Sequence, residues 1–70
     1  MNRLPVVSSN LFSVGYDPLS LALEIQFRSG AVYRYFRVAA AVYAGLMSAG
    51  SKGLYFAHVI RDTYSYMQVA

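Results

Sequence analysis

The chain has no cysteine, a single histidine and only three acidic residues among its 70. Each shortage removes a class of function. With no cysteine there is no disulfide framework. A metal site needs three or four ligands, and His58 with the scattered acids Asp17, Glu24 and Asp62 is a poor supply. Acid–base catalysis calls for carboxylates that are free to exchange protons. Glu24 is expected to pair with Arg34, and Asp17 to sit in a turn. Ser51, His58 and Asp62 can be assembled on paper into a nucleophile, base and orienting group, but their spacing matches no motif. His58 therefore reads as a polar residue of a helix, and the chain as a non-enzyme without a cofactor. No apolar run approaches the roughly 18 residues of a membrane span, and Met1–Val7 holds no signal-peptide core. A cytoplasmic location without a membrane partner is the expectation.

What the chain does have is apolar surface. Apolar residues make up 57% and charged residues 13%, against roughly 45–50% and about 25% in typical domains. Seventy residues support one domain, which buries only about 60% of the surface its unfolded chain exposes. Such a chain carries more apolar surface than a monomer can hide. With disulfides and metals closed, homo-oligomerisation is the remaining route to extra stability. Six basic residues, Arg3, Arg28, Arg34, Arg37, Lys52 and Arg61, give a net charge of +3, which is compatible with a phosphate-bearing partner.

Along the chain, residues 1–8 read as an arm, 9–66 as the core and 67–70 as a tail. Leu11 to Tyr16 alternates with Phe12, Val14 and Tyr16 on one face, which predicts a strand. Asp17-Pro18-Leu19-Ser20 has type I turn chemistry. As a four-residue loop it would pair Tyr16 with Leu21, Val14 with Leu23 and Phe12 with Ile25. The next strand puts Leu21, Leu23, Ile25 and Phe27 on the same face. A three-residue loop closed by a left-handed Gly30 pairs Ile25 with Tyr33, Leu23 with Tyr35 and Glu24 with Arg34. A two-residue loop would instead place Arg34 unpaired on the apolar face, so the longer loop is preferred. Ala39 to Ala49 is expected as a helix stopped by Gly50, and Gly53 to Arg61 as a second helix capped by Ser51. Thr63 to Val69 has strand-like composition and suits an edge strand or a crossing to a partner subunit. The fold class is α+β: a three-stranded antiparallel meander followed by two short helices on one face, with an optional C-terminal edge strand.

Several short runs together carry a resemblance. They are Ser9-Asn10, Val14-Gly15-Tyr16-Asp17-Pro18, Phe27 with Gly30, Tyr33-Arg34-Tyr35, Val38, Val42-Tyr43, Ser51-Lys52-Gly53-Leu54-Tyr55-Phe56 and Ile60-Arg61. From Val7 to Tyr66 the chain resembles the KTSC domain, a small domain named for its place at the C-terminus of some lysyl-tRNA synthetases and also found alone. It departs from that pattern at Ala39 in place of Pro, at Ala57 in place of Asn, and at Tyr64-Ser65-Tyr66 in place of Tyr-Pro-Tyr. The resemblance implies a binding module, with RNA inferred from the synthetase context.

Two places on the chain are candidates for binding. Ser51, Lys52 and Gly53 open a helix, where free amides and a positive dipole end suit an anion, with Arg61 folding back towards them; the same residues also suit an ordinary capped helix. Tyr33 and Tyr35 read either as core aromatics or as a stacking platform for a base. Arg28, Arg34 and Arg37 are expected on the opposite sheet face with Ala22, Gln26, Val32 and Phe36, a surface that suits a nucleotide or another subunit. The leading expectation is a module for a phosphate-bearing ligand, with RNA first. Two alternatives stand beside it: an oligomer that sequesters a small nucleotide signal, as phage-encoded proteins do, and a protein-interaction module.

Overall fold

A computed structural model describes residues 1–70. Five strands, β1 (Leu4–Pro5), β2 (Leu11–Asp17), β3 (Ala22–Phe27), β4 (Val32–Tyr35) and β5 (Tyr66–Gln68), form one antiparallel sheet in the order β1-β2-β3-β4-β5. Between β4 and β5 come helix α1 (Ala40–Ser48), helix α2 (Lys52–Tyr55) and a continuing π-helical turn, Phe56–Ile60. Both helices cover one face of the sheet. Leu46, Phe56 and Ile60 meet Leu11, Val14, Leu23, Ile25 and Tyr35 there, with Val38 closing the end.

The hairpin β3–β4 follows the turn chemistry. Gly30 takes φ +98° and its N–H donates to Phe27 O, and the pairs Ile25–Tyr33, Leu23–Tyr35 and Glu24–Arg34 form as the three-residue loop requires. Hairpin β2–β3 is shifted by two residues from the expected register: Val14 pairs with Ile25 and Tyr16 with Leu23. Asp17 stays in the strand opposite Ala22, and its carboxylate accepts from Leu19 N–H and Ser20 Oγ. Those two hydrogen bonds hold its pKa below the ordinary value. Leu21, expected in the core, instead closes the loop at φ +58° and is exposed, held by Val38 N–H donating to its carbonyl. A shift of two keeps every later side chain on its face, so alternation alone does not distinguish the two registers.

A bulge between Leu11 and Ser13 corrects the start of β2. Two residues there face one on β3, so Leu11 enters the core and Phe12 turns outwards beneath the Arg28 guanidinium, 5.9 Å from its ring centroid.

The arm and the tail both belong to the sheet. Leu4 pairs with Val14 and Pro5 with Ser13, and at the other edge Gln68 pairs with Tyr33 and Met67 with Arg34. The meander therefore has five strands rather than three, and the edge-strand alternative for the tail is the one adopted. Helix α1 stops with Ala49 in extended backbone (φ −65°, ψ 140°), not at a left-handed Gly50. Ser51 caps α2, its Oγ accepting from Leu54 N–H. Tyr43 of α1 stacks on Tyr16 at 4.8 Å, and Tyr16 Oη donates to Val38 O at 2.5 Å.

Candidate functional site: an aromatic cleft at the sheet–helix junction

Alternation sets the site. Phe27, Tyr33 and Tyr35 lie on the helix-facing side of neighbouring strands, and β5 adds Tyr66 opposite Tyr35. The π turn contributes Phe56. The five rings form one continuous surface: Phe56 meets Phe27 at 5.2 Å and Tyr35 at 5.6 Å, while Tyr66 meets Tyr33 at 5.5 Å and Tyr35 at 5.4 Å. Phe27 and Tyr33 complete it edge to face at 5.8 Å. Above this surface opens a cleft of about 460 Å³, lined also by Asn10, Ser29, Ala31, Arg61 and Asp62.

Backbone geometry brings Arg61 here. At 3.6 residues per turn, a residue five positions beyond Phe56 would lie about 140° round the helix axis. Instead Arg61 N–H donates to Phe56 O at 2.9 Å, a five-residue bond that widens the turn and returns Arg61 towards the side of Phe56. Arg61 and Asp62 are both exposed, with Nε and Oδ2 3.8 Å apart, and neither side chain makes a hydrogen bond. Burial, reinforced by Tyr66 and Tyr33, pushes the Tyr35 phenol up to about 12, so it remains a neutral O–H donor at physiological pH.

The expected site residues are thus divided. Tyr33, Tyr35 and Arg61 line the cleft, and the two tyrosine readings merge: Tyr35 is buried in the core yet forms the cleft floor, while Tyr33 is half-buried. Ser51, Lys52 and Gly53 do not line it. Ser51 Oγ is occupied as a cap and Lys52 Nζ donates to Ala49 O at 3.3 Å, so the groups expected to hold an anion serve the helix ends. Arg61 faces the cleft rather than that helix start. Only Gly53 touches the rim, through Asn10: a Cβ on Gly53 would stand 3.7 Å from Asn10 Cβ.

The three arginines expected on one open face also separate. Arg28 does not line the cleft: its backbone N–H donates to Asn10 O, its Nε to Ser8 O at 2.8 Å, and its guanidinium lies over the Phe12 ring. Arg34 is bound to Glu24, and Arg37 lies exposed in the β4–α1 connection with φ +59°. The outer face is less open than expected, because Ala22 and Val32 are buried and Arg3 covers Glu24 together with Arg34. A second cleft, of about 360 Å³, lies on that face between Met1, Asp17, Ser20, Ala22, Arg34 and Phe36. Tyr66, Asn10, Ser29 and Asp62 line the cleft but are not among the binding residues the sequence pointed to. The Tyr64-Ser65-Tyr66 run was the available signal for Tyr66.

Fold and site together define a small α+β domain, a five-stranded meander whose helix-covered face opens into an aromatic cleft. The chain belongs to the KTSC domain family, whose profile matches residues 7–64. It is 41% identical over 70 residues to an uncharacterised protein of Stutzerimonas stutzeri, with 99% of each chain covered. It is 38% identical over 55 residues to a lysine–tRNA ligase of a Nostoc strain, covering 79% of this chain and 10% of the ligase. The crystal structure of a KTSC domain protein from Yersinia pestis superposes with a TM-score of 0.96 at 40% identity, covering 99% of this chain and 97% of that one.

Proposed function

We propose that the chain is a non-enzymatic module that binds single-stranded RNA, with one unstacked base lying on the Tyr33–Tyr35–Tyr66 surface. The observation that carries this reading is the cleft: five contiguous rings with a guanidinium and a carboxylate at the rim. A flat aromatic ring with polar edges is the ligand such a surface fits, since every base has a π-face. Arg61 stands at the rim, where a flanking phosphate would run, and the net charge of +3 favours a polyanion. Kinship with a segment of proteins named lysine–tRNA ligases, whose name specifies a tRNA substrate, agrees with RNA.

The test is fluorescence anisotropy with a labelled single-stranded RNA. Tyr66 is exposed on an edge strand, so Tyr66→Ala spares the core. Stacking contributes about 1–3 kcal/mol per base, so this variant should bind about tenfold more weakly. Arg61→Ala should weaken binding and flatten its salt dependence. Unchanged affinity in both variants would remove the cleft from the reading.

A second reading is favoured by the cleft's size. A volume of about 460 Å³ accommodates a single nucleotide. On that reading an oligomer of this chain sequesters a small nucleotide. Salt separates the two, because RNA affinity falls steeply from 50 to 200 mM salt, whereas a buried small ligand responds less.

A further inference from the structure

We infer that the base held in the cleft is guanine, read by Asp62 and Arg61. The inference rests on the RNA reading and goes beyond it to the identity of the base. The rings cannot discriminate, because stacking tolerates every base. Discrimination must come from polar groups at the rim, and the arrangement there is one acceptor-only group beside one donor-only group. The Asp62 carboxylate offers two oxygens and the Arg61 guanidinium a fork of N–H donors. Their nearest atoms, Nε and Oδ2, stand 3.8 Å apart, outside hydrogen-bonding distance, so neither has used its capacity on the other.

Guanine alone carries a matching edge. Round its ring run two adjacent donors, N2–H and N1–H, followed by two adjacent acceptors, O6 and N7. The donor pair suits a carboxylate, and the acceptor pair suits a guanidinium. Adenine and cytosine each place an amino donor beside an acceptor, which would set a ring nitrogen lone pair against a carboxylate oxygen. Uracil offers one N–H between two carbonyls, with the same conflict. Two further features fit. Tyr35 keeps its proton and stays a donor on the cleft floor, and Asn10 and Ser29 add polar groups to the lining. The Arg61–Asp62 pair can face a single base because the π turn, unlike an α turn, returns Arg61 towards the side of Phe56.

The experiment measures binding of otherwise identical single-stranded RNA heptamers of adenine and uracil whose central base is guanine, inosine, adenine, uracil or cytosine. The guanine oligomer should bind about tenfold more tightly than the adenine, uracil and cytosine oligomers, with inosine, which lacks the N2 amino group, in between. Asp62→Asn, a change at an exposed side chain, should erase the difference between guanine and inosine. The remaining oligomers should bind as well or slightly better, because a negative charge facing a polyanion is gone. Equal affinity for all five oligomers, unaltered by Asp62→Asn, overturns the guanine inference and leaves the RNA reading standing. Failure of every oligomer to bind overturns both.

Discussion

Glu24 is the residue whose environment departs furthest from what its charge prefers. It is 5% exposed on the sheet face that carries no helix, and both its oxygens are occupied: Arg3 on one, Arg34 at 2.8 Å on the other. Burial raises its pKa, but the hydrogen bonds from Arg34 and Arg3 outweigh burial and hold it below the ordinary carboxylate value. A lowered folded-state pKa adds stability above the unfolded value of about 4.5, and that stability is lost as pH falls through the folded value. Thermal melts should therefore show the midpoint dropping as pH falls below about 4.5, with a smaller drop in Glu24→Gln. At neutral pH that variant should be less stable by about 2 kcal/mol, since two partly exposed arginines lose their counter-charge. A pH response identical to the parent chain's would show that the cluster contributes nothing. Half of it was legible in the sequence: the hairpin register pairs Glu24 with Arg34. Arg3 was not, because nothing local to residues 1–8 says where the arm lies.

Among the elements, β1 owes its place to a glycine on its neighbour. The segment Met1–Arg3 crosses so close above β2 that a Cβ at Gly15 would stand 2.7 Å from Asn2 O and 3.1 Å from Arg3 Cγ. The backbone carbonyl cannot give way without moving the strand. Gly15→Ala is expected to release β1 while leaving the helix-covered core intact. Limited trypsin digestion should then cleave after Arg3 well before any other site, whereas the parent chain resists. Equal protection of both chains would show that the arm is held by other contacts. Helix α1 shows how a correct element can carry an incorrect terminus. Its apolar positions Val42, Tyr43, Leu46 and Met47 are readable from spacing and do pack on the core, but it ends at Ser48 with Ala49 already extended. A Cβ at Gly45 would collide with the Tyr55 ring, so the glycine is what lets α2 pack that closely on α1. The π turn is less legible still, since apolar residues four apart suit α and π winding alike, and the one widened bond decides which way Arg61 faces.

For the whole molecule, the radius of gyration of 10.6 Å is close to the about 11 Å expected of a folded chain this long, so arm and tail add to the body rather than trail from it. No helix is long and apolar enough to cross a membrane. Large apolar side chains nevertheless remain exposed, among them Leu4, Phe12, Leu54 and Met67. Both sheet edges are short, and β5 is exposed at all three residues. Light scattering at micromolar concentration is expected to return a multiple of 7.8 kDa. A mass of a single chain would refute the oligomer and with it the sequestering reading, while leaving RNA binding by a monomer intact.

The sequence by itself determined the β3–β4 hairpin, its Glu24–Arg34 pair, the capped start at Ser51 and the apolar positions of α1. These depend on turn chemistry and on side-chain period, which act over a few neighbouring residues. Tertiary structure alone decided the β2–β3 register, the outward turn of Phe12, the seating of the arm over Gly15 and the meeting of Tyr33, Tyr35 and Tyr66 with Arg61 and Asp62. Each of these brings together residues far apart in the chain, where either choice satisfies the local pattern and packing selects between them.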